Sequence, residues 1–130
     1  MPRAYTIATA ALALGTSSKW LDNTLSHYRV GGIIQQKQGV ARRLTIDGLL
    51  TLSVTLALTS ELGSTVAGAI EVAEKLIAAG GRFVSPQGLR IELDLQEFRD
   101  RLLSQLEHAV EVAPLPKRGR PSKNTTGRLD

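Results

Sequence analysis

The sequence predicts a mainly α-helical fold with small β-hairpins, a C-terminal helix and a disordered basic tail. Apolar residues recur at helical spacing over most of the chain, and glycines and capping residues divide it into short segments. Two further stretches contain turn residues and read as hairpins. With 130 residues, 42% of them hydrophobic, the chain is long enough for one folded domain with an appendage.

Two short helices separated by a glycine are predicted near the start of the chain. The alanine-rich segment 8–14 ends at Gly15, because glycine tolerates the left-handed conformation that follows a helix end. A Thr-Ser-Ser run then offers an N-cap for a second helix over 19–28. The residues that share one face of this helix are Leu21, Leu25 and Tyr28. Helix, glycine turn and capped helix together indicate a helix-turn-helix.

A polar segment and two apolar helices are expected next. Residues 33–44 predict a small β-hairpin or an irregular loop. Thr45 is the expected N-cap of a strongly apolar helix over 46–60. A fourth helix is expected over 65–79, with Ser64 as its cap and a glycine pair at its end.

The third part of the chain changes its periodicity. Residues 82–85 and 89–93 alternate around a Pro-Gln-Gly turn and predict a β-hairpin. Asp94 and Glu97 form a capping box, so a helix should begin at residue 95 and end before Pro114. The sequence leaves open whether the apolar face of this helix packs on the body of the protein or on a second copy. That face consists of Phe98, Leu102 and Leu106.

Charge is distributed unevenly along the chain. Residues 1–43 carry six basic groups and one acidic group, a net charge of +5. Residues 44–112 have a net charge of −5, and residues 113–130 a net charge of +4. Two basic ends that flank an acidic middle are expected of a protein that binds a polyanion such as nucleic acid.

Composition argues against several other classes of protein. With no cysteine and two histidines, a disulfide framework and a zinc site are not expected. The carboxylates have no accompanying histidine, cysteine or glycine-rich phosphate-binding loop, so we expect no enzyme activity, metal or cofactor. The longest apolar stretch, residues 48–58, is too short to span a bilayer. We therefore expect a cytoplasmic protein with no membrane partner.

Four short stretches mark out the order helix, helix, basic loop, helix, helix. They are Tyr5-Thr6-Ile7 with Leu14-Gly15-Thr16-Ser17, then Gly39-Val40-Ala41-Arg42-Arg43-Leu44-Thr45, then Glu61-Leu62-Gly63. In this order the segment 4–79 resembles the winged helix-turn-helix domain of MerR-type regulators. The resemblance implies a second helix in the major groove of DNA and a wing that contacts phosphate. The candidate residues are Ser17, Ser18, Lys19 and Asn23 on the helix, and Arg42 and Arg43 in the wing.

The tail carries a second basic motif. Arg118-Gly119-Arg120-Pro121, flanked by Lys117 and Lys123, resembles an AT-hook. Glycine lets the backbone approach the floor of a narrow minor groove, while the two arginines extend along it. Proline favours an extended exit from the motif. The resemblance implies contact with A·T-rich double-stranded DNA.

The predicted organisation has three parts. A MerR-like domain spans 4–79, a hairpin and helix that complete the core or form a dimer span 80–112, and a disordered basic tail spans 113–130. The predicted function is that of a DNA-binding transcriptional regulator associated with the nucleoid, either alone or as a homodimer; no small-molecule effector is assigned. The alternative is a non-catalytic protein-interaction adaptor on the same fold, with the tail as a solubilising segment.

Overall fold

A computed structural model describes residues 3–35 and 41–112, and over these ranges the protein is mainly α-helical with two small antiparallel sheets. This confirms the predicted fold class at that level. The elements, in chain order, are β1 (Ala4–Tyr5), α1 (Ile7–Leu14), α2 (Ser18–His27), β2 (Ile33–Ile34), β3 (Arg43–Thr45), α3 (Ile46–Leu62), α4 (Val66–Ala78), β4 (Arg82–Val84), β5 (Arg90–Glu92) and α5 (Leu95–Val112).

One predicted helix cap is wrong by a single residue. Thr65, not Ser64, caps α4, and its side-chain oxygen accepts from the amide of Gly68 at 3.1 Å. The amide of Ser64 donates instead to the carbonyl of Leu58 at 3.4 Å. Ser64 therefore completes the C-terminal end of α3, and the next hydroxyl in the chain starts α4.

The first sheet has the strand order β1-β3-β2, so β3 is its central strand. Leu44 of β3 pairs with Tyr5 on one side and with Ile33 on the other. Leu44 is fully buried, because its side chain points from the sheet into the core. Strands β2 and β3 thus pair antiparallel, and β1 adds a third strand that the sequence did not predict.

Helix α3 is the centre of the fold. Its residues Leu49, Leu50, Leu52 and Val54 have no exposed surface, as expected for a helix that is apolar on several sides. One side of α3 belongs to a core shared with α1, α2, the first sheet and α5, and the other to a core shared with α4 and the β4–β5 hairpin. In the part of the chain described, no helix combines the length and apolar character required to cross a membrane.

Helix α5 returns to the beginning of the fold. It packs against α1 and α3, and its residues Leu102, Leu106 and Ala109 are almost completely buried. Phe98 packs beside them. The apolar face of α5, for which the sequence left two partners open, is thus covered within the same chain.

Candidate nucleic-acid interface

A tight turn fixes α2 relative to α1. Gly15 adopts a left-handed conformation with φ of 73°, and the amide of Thr16 donates to the carbonyl of Ala11 at 3.0 Å, which closes α1. The hydroxyl oxygen of Ser17 then accepts from the amide of Trp20 at 2.9 Å and begins α2. The candidate residue Ser17 is therefore the helix cap, and Ser18, next to it, is exposed.

The outward face of α2 is polar and exposed. Its inward residues, Leu21, Thr24 and Leu25, are buried. The residues at helical spacing on the opposite side are Lys19, Asp22, Asn23 and Ser26. Within the described ranges, neither the ammonium of Lys19 nor the side-chain amide of Asn23 has a hydrogen-bonding partner or an ion pair. These two groups are free to contact a ligand.

Arg42 connects the hairpin to this face of α2. Its Nη1 donates to Oδ1 of Asp22 at 3.0 Å, and its Nη2 lies 3.5 Å from Oγ of Ser26. The hydroxyl of Ser26 donates in turn to the backbone carbonyl of Asp22 at 2.9 Å. The side chain of Arg42 is only 21% exposed. The candidate wing residue Arg42 thus binds to residues of α2 in the same chain, and these contacts hold the start of β3 against α2.

Arg43 lies on the other side of the strand. Successive side chains of a strand point to opposite faces, so the exposed Arg43 points away from the face that carries the buried Leu44. Its cross-strand neighbour is Ile34, which is 40% exposed. Among the residues described, Arg43 has no ion pair. The structure therefore places Lys19 and Asn23 on the exposed face of α2, brings Arg42 against Asp22 and Ser26 of that face, and places Arg43 on the outer surface of the hairpin.

A groove of about 460 Å³ separates the C-terminal end of α2 from the hairpin. Arg29, which follows α2, and Arg42, which precedes β3, line this groove together with His27. The ring of His27 is oriented by its Nδ1, which donates to the carbonyl of Asn23 at 2.8 Å. Arg29 is not among the site residues predicted from the sequence. It belongs to the basic first third of the chain, and this is the one feature of the sequence that could have identified it. Nothing in the local pattern separates it from other surface arginines.

Several predicted site residues fall outside the described ranges. They are Lys117, Arg118, Gly119, Arg120, Pro121 and Lys123. Residues 36–40, between the two strands of the hairpin, also fall outside them.

The described residues include no group of three or more histidine, cysteine, aspartate or glutamate side chains that could hold a metal ion. No protein-family model matches the chain, and neither a curated protein nor a solved structure is significantly similar to it.

Proposed function

We propose that the protein binds double-stranded DNA through α2 and the β2–β3 hairpin, used as a winged helix-turn-helix, and acts as a transcriptional regulator associated with the nucleoid. The observation that carries the proposal is the outward face of α2. That face presents Lys19 and Asn23 without partners among the described residues, and Arg42 holds the hairpin beside it. A helix presented in this way on a short turn fits the major groove.

The residues proposed on α2 and on the hairpin would make two kinds of contact. Asn23 has the donor and acceptor needed to pair with the edge of an adenine, while Lys19 and Arg43 suit phosphate, which supplies affinity without sequence information. Asp22, an acidic residue on the same face, would repel DNA if it were alone. Its ion pair with Arg42 at 3.0 Å offsets that charge.

The tail supplies the second part of the proposal. Arg118 and Arg120 would lie along an A·T-rich minor groove while α2 occupies a neighbouring major groove. Two weak sites joined in one chain bind more tightly than either alone, because the first contact raises the effective concentration of the second.

Substitution of matched pairs of basic residues tests the role of α2 and the hairpin. Lys19→Ala/Arg43→Ala and Lys75→Ala/Arg90→Ala remove the same charge from different elements, α2 and β3 in the first pair and α4 and β5 in the second. We expect the first pair to weaken DNA binding about tenfold or more and to reduce the salt dependence by about one unit per lost phosphate contact. The second pair should leave binding nearly unchanged. Fluorescence anisotropy with a labelled duplex measures both, and equal losses would contradict the proposed face.

A second matched pair tests the tail. Arg118→Ala/Arg120→Ala removes the core arginines, whereas Lys117→Ala/Lys123→Ala removes the same charge from the flanks. We expect both to weaken binding, but only the first to abolish the preference for A·T-rich over G·C-rich duplexes. Loss of preference in both variants, or in neither, would contradict minor-groove binding by the Arg-Gly-Arg-Pro motif.

A further inference from the structure

A shallow groove of about 410 Å³ lies between α5 and the N-terminal residues Arg3 and Tyr5. Two of the α5 residues that line it are large apolar side chains that remain exposed, Leu103 by 41% and Val110 by 47%. The buried face of α5 already packs on α1 and α3, so these two side chains are not needed to hold the helix in place. The groove is therefore an uncovered apolar surface at the edge of the fold.

The charges around the groove limit what can bind there. Glu107 belongs to its lining, and within residues 3–35 and 41–112 this carboxylate has no ion pair. Two arginines lie at the margin. The guanidinium of Arg3 is 5.4 Å from the centre of the Tyr5 ring, and Arg99 lies about one helical turn before Leu103. The groove thus suits an apolar side chain with one cation beside it, whereas a longer basic segment would meet the two arginines.

The segment that follows α5 has this composition. Helix α5 ends at Val112, and the next residues, which lie outside the described ranges, are Ala113-Pro114-Leu115-Pro116-Lys117. Leu115 is the first large apolar residue after the helix, and Lys117 is the first charged one. Proline restricts the backbone to extended conformations, so a segment with two prolines loses little conformational entropy when it binds.

The length of this segment matches the position of the groove. Leu115 is three residues beyond the end of α5, a distance of about 9 Å in extended backbone. About six residues of helix cover the same distance, so a chain that turns back along α5 brings Leu115 level with a point midway between Val110 and Leu103. Lys117 then lies about 8 Å from Glu107 along the helix axis, which the two long side chains can span.

We propose that the chain turns back after α5 and places Leu115 in this groove, packed on Leu103 and Val110. The ammonium of Lys117 then pairs with the carboxylate of Glu107. We call these contacts the tail anchor. The Arg-Gly-Arg-Pro motif follows directly and stays outside the groove, because its arginines would otherwise approach the two arginines at the margin.

The tail anchor determines where the Arg-Gly-Arg-Pro motif begins relative to the first sheet. Tyr5, which lines the groove, belongs to β1, and β1 pairs with β3, the strand that carries Arg43. Neighbouring strands are about 5 Å apart, so the anchor lies one strand away from the hairpin proposed to contact DNA. Arg118 is three residues from Leu115 but six from the end of α5. Because effective concentration falls roughly as the −3/2 power of tether length, the shorter tether raises it about threefold.

Zero-length cross-linking of the full chain tests the anchor without DNA. A carbodiimide joins a lysine amine to a carboxylate only where the two groups are in contact, and mass spectrometry of the digested chain identifies the pair. We expect an amide between Lys117 and Glu107 whose yield does not change on dilution. In a mixture of isotope-labelled and unlabelled protein, the link should form within single chains. A link between chains would show that a second copy occupies the groove and would overturn the proposal.

Neutral substitutions separate the anchor from mere nearness along the chain. Leu115→Gln and Leu103→Gln should each lower the yield of the cross-link several-fold, whereas Leu115→Met keeps an apolar side chain of similar volume and should retain it. Leu12→Gln is the matched control, because Leu12 is 49% exposed on α1 and is not among the residues that line the groove. Equal yields in Leu115→Gln and the parent chain would mean that the short tether alone brings Lys117 to Glu107, and would overturn the proposal.

The consequence for DNA binding rests on the proposed function and is measured separately. By fluorescence anisotropy, Leu115→Gln should bind an A·T-rich duplex about threefold more weakly than the parent chain. The preference over a G·C-rich duplex should be retained, because the Arg-Gly-Arg-Pro motif is intact. Unchanged affinity together with a lost cross-link would overturn the placement of the motif beside the hairpin, but not the anchor. If the parent chain forms the cross-link and binds no DNA, the proposed function fails and the anchor stands.

Discussion

Arg42 and Asp22 join the β2–β3 hairpin to α2, with Nη1 of Arg42 3.0 Å from Oδ1 of Asp22. The two residues are 20 positions apart in the sequence, so their contact fixes the angle between two elements rather than the shape of one. If α2 and the hairpin bind one DNA duplex together, this ion pair sets the distance between the two contacts.

A double-mutant cycle on this pair should reveal a measurable coupling. Arg42→Ala and Asp22→Ala should each lower the free energy of unfolding, and the double variant should lose less than the sum of the two. We expect a coupling energy of about 0.5–1 kcal/mol, because Asp22 is largely exposed and such pairs are screened by water. Urea unfolding measures it. Strictly additive losses would mean that the pair does not hold the hairpin.

Gly32 should tolerate no side chain. Its φ is 84°, and a Cβ added there would lie 2.5 Å from the backbone nitrogen of Gly48 at the start of α3. We expect Gly32→Ala to lower the free energy of unfolding by at least about 2 kcal/mol. Gly31→Ala is the control, since a Cβ at Gly31 meets no atom within 4 Å. It should leave stability unchanged or raise it by up to about 1 kcal/mol. Thermal or chemical unfolding of the two variants compares them, and similar losses would contradict the close approach.

The N-cap of α2 should contribute to stability through one hydrogen bond. Ser17→Ala removes the oxygen that accepts from the amide of Trp20 and should cost about 1 kcal/mol. Ser18→Ala changes the neighbouring hydroxyl, which is exposed and caps nothing, and should change stability by no more than about 0.5 kcal/mol. Denaturant unfolding curves distinguish the two. A larger effect at Ser18 would place the start of the helix one residue later.

Two leucines of α3 should differ sharply in their contribution to the core. Leu52 is fully buried, whereas Leu62, at the end of the same helix, is 64% exposed. Leu52→Ala removes packed methyl groups and leaves a cavity, so it should cost about 2–5 kcal/mol. Leu62→Ala should stay within about 0.5 kcal/mol. Calorimetry on both variants tests this, and a small loss at Leu52 would contradict the central position of α3.

The helices and their ends could be predicted because their signals are local. Ser17 and Thr45 each place a hydroxyl three residues before a backbone amide at the start of a helix, and that amide donates to the hydroxyl. Such a cap, like a glycine at the end of a helix, can be identified from a few residues of sequence. The choice between Ser64 and Thr65 was not visible, because it depends on a hydrogen bond from Ser64 back to α3.

Long-range features of the site could not be predicted in the same way. The strand β1 has two residues, too few for an alternating pattern, and it forms only because Tyr5 finds a partner in Leu44. The residues chosen on α2 lie on its exposed face, but the engagement of Arg42 by Asp22 joins separate segments. No spacing rule connects them, so the sequence identified the basic residue without identifying what it contacts.

The salt dependence of DNA binding is the most direct test of DNA recognition by α2, the hairpin and the tail. Fluorescence anisotropy of the full chain with A·T-rich and G·C-rich duplexes would be measured from low to moderate salt. If Lys19, Arg29, Arg43 and the tail all contact phosphate, the logarithm of the binding constant should fall with the logarithm of salt concentration with a slope of about −4 or steeper. The A·T-rich duplex should bind more tightly. Absence of binding to either duplex at low salt would contradict DNA recognition and favour the protein-interaction adaptor.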